Sequence, residues 1–352
     1  MKRCVLAVVA VAVVLFPATP AAAESLELCR FDGGKLAEIS GLATSALHSG
    51  IVWAHNDSEG GSKLYAVDTG TCEIRSILRV RGIAARDPEA IAVGIGTSGA
   101  PAIFWGDIGD NTAERRYLEI HEITEPADLI DTTVTPTTYR VRLDEPEDAE
   151  ALVADGDQLW MISKGLVGGT VWQLPRPLTP DDVVRARAVG IEDALVTDAA
   201  MRPGGGYAVR DYSEVRIYSG APPGELIERM PLPEQIQGEA MTWTADGTAL
   251  IIASEGDDRL LRVQVTSPDE PTEVAPTEST TTPTTETALP EASSVASPQP
   301  EESQLAPSQV AQVLAPVDRV GSLAVLALAI GAGVFIVSAA AVPVFARLRS
   351  RR

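Results

Sequence analysis

Asp87-Pro88-Glu89-Ala90-Ile91 returns as Asp148-Ala149-Glu150-Ala151-Leu152 and again as Gln237-Gly238-Glu239-Ala240-Met241. Each phrase opens a short hydrophobic segment that is followed by a second and a third. The segments are rich in β-branched and aromatic residues and are separated by Gly, Asp, Asn or Ser turns, which is strand-and-turn chemistry. Short strands recurring in units of roughly 40 to 60 residues mark a β-propeller, in which each unit is one blade.

Five units can be laid out. The first runs from Ser40-Gly41-Leu42-Ala43 through Ile51-Val52-Trp53-Ala54-His55 and Lys63-Leu64-Tyr65-Ala66-Val67, and later units begin at Ala90, Ala151, Ala200 and Ala240. The fifth has only three strands, while Leu26-Glu27-Leu28-Cys29-Arg30-Phe31 stands ahead of the first as an orphan strand. Lending that piece to the last blade closes the ring and hides an exposed edge. The chain is therefore expected to be all-β, a five-bladed propeller, with six blades as the alternative if the stretch 111–146 holds further structure.

Both ends of the chain are membrane signals. Lys2 and Arg3, an apolar run and Ala21-Ala22-Ala23 form a tripartite export signal, placing a signal peptide at 1–23. Residues 320–346 carry no charge, are long enough to cross a bilayer, and are followed by Arg347, Arg349, Arg351 and Arg352. This predicts a single-pass protein with its N-terminus outside, a propeller ectodomain at 24–266, and a basic cytoplasmic tail at 347–352. Between ectodomain and span, 267–319 is rich in Thr, Ser, Pro and Glu, the composition of a disordered stalk.

The net charge of −21 excludes a nucleic-acid or anionic-lipid surface and suits solubility, cations or cationic partners. After signal removal Cys29 and Cys72 are the only cysteines, and in an exported chain two such cysteines are expected to pair. Gly-x-Ser-x-Gly is absent, and His48, His55 and His121 form no zinc-type pair. Trp53, Trp105 and Trp160 read as packing residues, and His55 as a turn-packing residue or an acid–base group.

In a four-stranded antiparallel blade, the start of the innermost strand and the turn between the second and third strands share one face. Strand starts contribute Asp87, Glu89, Asp148, Glu150 and Glu239, with Ser40 and Asp198 in related places. The turns contribute Asn56, Asp57, Asp107, Asp110, Asn111, Asp211 and Glu255, together with Lys164 and Arg210. Carboxylates crowded near an axis either share protons or hold a cation, and an oxygen-only set suits calcium. Glu89, Glu150, Glu239, Asp87 and Asp148 are the candidate calcium ligands. Turn Asp and Asn residues also serve the backbone in any β protein, and Lys164 and Arg210 can neutralise the acids in place of a metal.

Glu38-Ile39-Ser40-Gly41-Leu42-Ala43, Trp53-Ala54-His55-Asn56-Asp57, the Glu-Ala phrases and Gly106-Asp107-Ile108-Gly109-Asp110-Asn111 resemble a group of exported, membrane-anchored actinobacterial β-propeller proteins over about residues 29–265. The chain is more distantly similar to phytase-like, SdiA-regulated and gluconolactonase (regucalcin-like) propellers. In gluconolactonase-like enzymes a strand-start Glu holds a divalent metal, and that resemblance implies the same role for Glu89, Glu150 or Glu239. The matching Asn and Asp ligands are absent. Two functions follow: a non-enzymatic surface module for an extracellular ligand or protein, which is favoured, and a calcium-dependent hydrolase of phosphate esters or lactones.

Overall fold

The hydrophobic runs pair into five sheets, each of which begins at one of the sequence units. The computed structural model describes residues 24–265 apart from 33, 58–60 and 166–167. The signal segment, the stalk at 267–319, the span at 320–346 and the tail lie outside the described residues. Among the described residues no helix is long and apolar enough to cross a membrane.

The N-terminal strand β1 (Ser25–Arg30) belongs to the last blade. Blade I holds β2 (Ile39–Thr44), β3 (Ile51–Asn56), β4 (Lys63–Asp68) and β5 (Ile74–Val80). Blade II holds β6 (Pro88–Ile95), β7 (Pro101–Asp107) and β8 (Leu118–Thr124), then β10 (Thr137–Arg142). Between these last two, β9 (Thr132–Val134) leaves blade II and adds in parallel to the outer edge of β5. Blade III is β11 (Ala149–Asp155), β12 (Gln158–Ser163), β13 (Gly169–Gln173) and β15 (Arg187–Glu192), while β14 (Val183–Arg185) adds in parallel to β10. Blade IV is β16 (Asp198–Met201), β17 (Tyr207–Arg210), β18 (Glu214–Tyr218) and β19 (Leu226–Pro231). Blade V is β20 (Gln237–Trp243), β21 (Ala249–Glu255) and β22 (Arg259–Gln264), completed by β1 antiparallel to β22. The stretch 111–146 thus supplies strands to blades I and II and builds no sixth blade.

Burial explains the sequence pattern of the strands. Innermost strands β2, β6, β11 and β20 are buried along most of their length, because blades cover both faces, so they read as nearly continuous runs of small and aliphatic residues. Outer strands β5 and β10 alternate between buried and more exposed positions, as half-covered strands do. Successive residues of one strand feed opposite neighbours: on β7, Ile103 and Trp105 pack toward blade I, and Phe104 packs toward blade III. Five such inter-blade cores close the ring, the last between blades V and I around Leu42, Tyr65, Ile251 and Leu260. Trp53, Trp105 and Trp160 are all packing residues, 0%, 1% and 4% exposed.

The closure is covalently pinned. Cys29 of β1 is bonded to Cys72, in the turn between β4 and β5, tying the last blade to the first across 43 positions. Asp68 shapes that turn by accepting the Gly70 and Thr71 N–H groups at Oδ1. Replacing both cysteines by serine is expected to lower stability by up to about 4 kcal/mol, the loop-closure entropy of a crosslink of this span. Denaturant unfolding of the double variant, without reductant, measures the difference, and an unchanged midpoint would contradict a role in closure.

Candidate functional site

The recurring Glu-Ala phrase is the signature of a β-bulge. Where each innermost strand meets its neighbour, the pairing skips one residue: Ser40 in blade I, Glu89 in blade II, Glu150 in blade III and Glu239 in blade V. The extra residue of a bulge has no cross-strand partner, and its side chain is re-aimed. Here the four are collected at one end of the propeller axis, nearly out of solvent at 2%, 8%, 3% and 7% exposure. The Ser40 hydroxyl donates to Glu89 Oε2 at 3.0 Å. The following Ala90, Ala151 and Ala240 are fully buried beside the axis. Blade I has Gly41 at this place, because a Cβ there would sit 2.5 Å from His55 Nε2.

Blade IV departs from the pattern. Asp198 pairs directly with Arg210 without a bulge, and both are buried. Asp198 accepts Ala199 N–H at 2.7 Å and, across the blade boundary, Met241 N–H at 2.6 Å. Burial, opposed by these bonds, lifts the Asp198 carboxyl well above the usual range. Arg210 donates to Gln235 Oε1 and to the Ala240 carbonyl, and burial lowers it to about 10. Its guanidinium occupies the space a side chain at 238 would need, with Nη2 2.0 Å from the place of a Cβ, which is why the blade V phrase carries Gly238.

Burial and mutual repulsion dominate the electrostatics of this end. Burial pushes Glu89 up to about 9, reinforced by the negative charges of Glu150, Asp87 and Glu239 and opposed by the Ser40 bond. Burial also raises Glu150, to about 7, against the pull of Lys164, whose Nζ lies 2.9 Å from Glu150 Oε1. Glu239 accepts a bond from Gln237 Nε2 at 2.8 Å, and Gln237 also bonds Glu255. Glu255 rises to about 7 through burial and then the charges of Glu239 and Asp57. Asp87 is raised by burial and by Asp148.

Most turn acids serve the backbone. Asp107 is buried and accepts the N–H groups of Arg86 and Asp87 while pairing with Arg115 at 2.8 Å. Asp110 accepts the N–H groups of Glu114 and Arg115, Asp148 that of Asp110, and Asp211 those of Ser213 and Glu214. Asn56 donates to the Lys35 carbonyl, and Asn111 reaches Asp87 at 3.5 Å. His55 is buried and held near 4 by burial, so it packs as a neutral ring against Trp105.

Glu89, Glu150, Glu239, Asp87 and Asp148 share this end, but they do not bring three oxygens within 4.8 Å of one another. Among the described residues one group meets that spacing, Asp107 with Glu119 and His121, and it is an acidic site able to hold a metal. At the axis a compact calcium cage is therefore not assembled, and Lys164 supplies a cation of the protein's own.

The other end of the axis opens. A funnel of about 710 Å³ runs up between the innermost strands, lined by Leu42, Ile91, Leu152, Met201 and several alanines, with Thr44, Thr242, Asp155 and Arg202 among its polar groups. Arg202 lies over the Trp243 ring at 4.9 Å and donates to the Gly247 carbonyl, which fixes it beside the mouth. Gly204 and Gly205 adopt left-handed φ values of 87° and 113° in the adjoining hairpin, a backbone that favours glycine. No motif in the sequence singles this end out, because its aliphatic and small lining residues read like those of any buried strand.

No protein-family model matches the chain, and no curated protein matches it. Among solved structures it is distantly similar to a gluconolactonase from Xanthomonas campestris, at 13% identity over 71% of this chain and 98% of that one, with a TM-score of 0.38. Virginiamycin B lyase from Staphylococcus aureus is similar at 12% identity, covering 66% of this chain and 68% of that one, with a TM-score of 0.34.

The acidic end predicts a stability that falls as pH rises. Glu89, with its folded-state value raised to about 9, keeps its proton in the fold while the unfolded chain has released it, so this stabilisation is lost as pH climbs toward 9. His55 and His121, both held near 4, are neutral in either state above pH 7, and Arg210 titrates only higher. Melting temperature should drop between pH of about 7 and about 9, and the combined Glu89→Gln, Glu150→Gln, Glu239→Gln variant should flatten that slope and melt higher at the alkaline end. A parent protein with a flat profile would contradict the carboxyl assignment.

Proposed function

We propose that the chain is a non-enzymatic binding module, anchored at the cell surface with its propeller outside, whose ligand seat is the axial funnel. The observation that carries this reading is the chemistry of the lining: Asp155 and Arg202 are its only titratable side chains. Acid–base or nucleophilic catalysis needs a base beside a nucleophile, and a lining that mixes the aliphatic Leu42, Ile91 and Leu152 with the hydroxyls of Thr44 and Thr242, Asp155 and Arg202 suits binding instead. Ser45 at the rim does touch a carboxylate, Glu125. Its hydroxyl oxygen, however, also accepts the N–H groups of Leu47 and His48, so it is committed to shaping the loop and is not an activated nucleophile.

The closed acidic end supports the same reading. Its bulged carboxyls, Glu89, Glu150 and Glu239, are nearly out of solvent and are bonded by Ser40, Lys164 and Gln237, which makes it a plug at the strand starts. The second reading, a calcium-dependent hydrolase of phosphate esters or lactones, draws on Glu150, whose carboxyl near 7 has the affinity of a proton acceptor at neutral pH. Calcium there requires the acids to draw together and Lys164 to leave Glu150.

A screen of small molecules by thermal shift on the full chain, paired with phosphoester and lactone turnover assays with and without calcium, separates the two. Funnel ligands should lose about tenfold or more in affinity when Ala200, a half-buried lining residue, becomes Phe, and should be indifferent to Glu89→Gln. Calcium-dependent turnover that vanishes in Glu89→Gln and survives Ala200→Phe would overturn the binding-module reading.

A further inference from the structure

Away from the axis, at the boundary between blades I and II, lies a set of metal-ligating atoms that the fold leaves unsatisfied. On the β7–β8 pair, Trp105 stands opposite His121 and Asp107 opposite Glu119. Directly opposed residues project from the same side of a sheet, so all four face one way, and Trp105 shows that the way is toward blade I. Asp107, Glu119 and His121 each offer a ligand atom, all within 4.8 Å of one another.

His121 is fully buried, and its Nδ1 is bonded to Thr138 Oγ1 at 2.9 Å. Its Nε2 has no partner. In the tautomer whose Nδ1–H donates to the Thr138 hydroxyl, Nε2 presents its lone pair, the arrangement by which proteins orient a metal-binding imidazole. The Glu119 side chain makes no hydrogen bond or ion pair among the described residues. The carboxylate of Asp107 is partly used: Oδ1 takes Asp87 N–H and Arg115, while Oδ2 takes only Arg86 N–H and keeps a lone pair. Beside the group, His55 Nε2 and Trp105 Nε1 are also buried without partners, and Trp105 lies between the two imidazoles. Buried polar atoms are rarely left unpaired, and so many in one interface point to an occupant.

We propose that Asp107, Glu119 and His121 form a three-ligand site for a divalent transition metal of the zinc class, distinct from the axial carboxylates. One imidazole nitrogen and two carboxylate oxygens without sulfur match zinc's N/O preference, whereas calcium takes oxygen ligands alone. Arg115 stands as the supporting cation that fixes Asp107 through Oδ1, and Thr138 as the group that orients the His121 ring.

The full chain, freed of metal by chelator, is titrated with Zn2+ by calorimetry and with Co2+ as a visible-absorption probe. One ion per chain should bind, with Zn2+ displacing the Co2+ spectrum. Because the Glu119 side chain has no other partner among the described residues, Glu119→Gln should leave folding intact and weaken binding by about tenfold or more, at least the effect of losing a supporting group of a metal site. His121→Gln should abolish the Co2+ spectrum, and the axial triple Gln variant should bind as the parent does. Absence of saturable binding at about 100 μM Zn2+, which would be a site weaker than about −5 kcal/mol, overturns the proposal. Equal affinity in the parent and a folded Glu119→Gln protein overturns it as well.

Discussion

Five strands must start around one axis, and everything distinctive about this propeller follows from how their first residues share that space. A regular pairing would point each strand-start side chain to one face or the other of its blade. A bulge in four of the five innermost strands turns Ser40, Glu89, Glu150 and Glu239 toward the axis instead, where they are almost out of water. Buried carboxyls that repel one another hold protons that free carboxyls release, so the closed end of the axis is a hydrogen-bonded plug whose charge depends on pH. Blade IV, which lacks the bulge, contributes a buried Asp198 and Arg210 and stitches itself to blade V through the Met241 N–H.

The two ends of the axis consequently have different chemistry. One is polar, with Lys164 paired to Glu150 and burial raising the Glu89 carboxyl. The other is a funnel of mixed aliphatic and polar lining, open to solvent, with Arg202 and Asp155 as its charges. The disulfide between Cys29 and Cys72 adds to this design by locking the blade that closes the ring.

Much of the architecture was legible because it is periodic. The Glu-Ala phrases, the tryptophan-bearing second strands and the orphan piece at Leu26 led to five blades closed by the N-terminal strand, and β1 lies against β22 as that reading requires. The phrases were also the bulges, although strand periodicity alone does not distinguish a bulge from an ordinary start. Less legible were features made by tertiary approach. The short β9 and β14 carry too few residues for a period and join sheets distant in sequence. The funnel is an absence of bulk, spelled by alanines that look like any buried strand. Asp107 read as a turn acid of the axial face because its sequence neighbourhood is Gly-Asp-Ile-Gly-Asp, yet Arg115 and two backbone donors hold it in the interior. Glu119 and His121 gave no signal at all, since their proximity to Asp107 exists only across the β7–β8 pair.

The closed end depends most on a Glu89 carboxyl that burial and its acidic neighbours keep protonated at neutral pH. Carboxyl-selective carbon NMR of the folded chain, with Glu89 assigned by its Gln variant, follows that group directly through a pH titration in chelator and then in calcium. The account predicts a Glu89 carboxyl still protonated at neutral pH and titrating toward 9, with little change on adding calcium. A Glu89 carboxylate already ionised at neutral pH, or one converted to its ionised form by calcium, would contradict it.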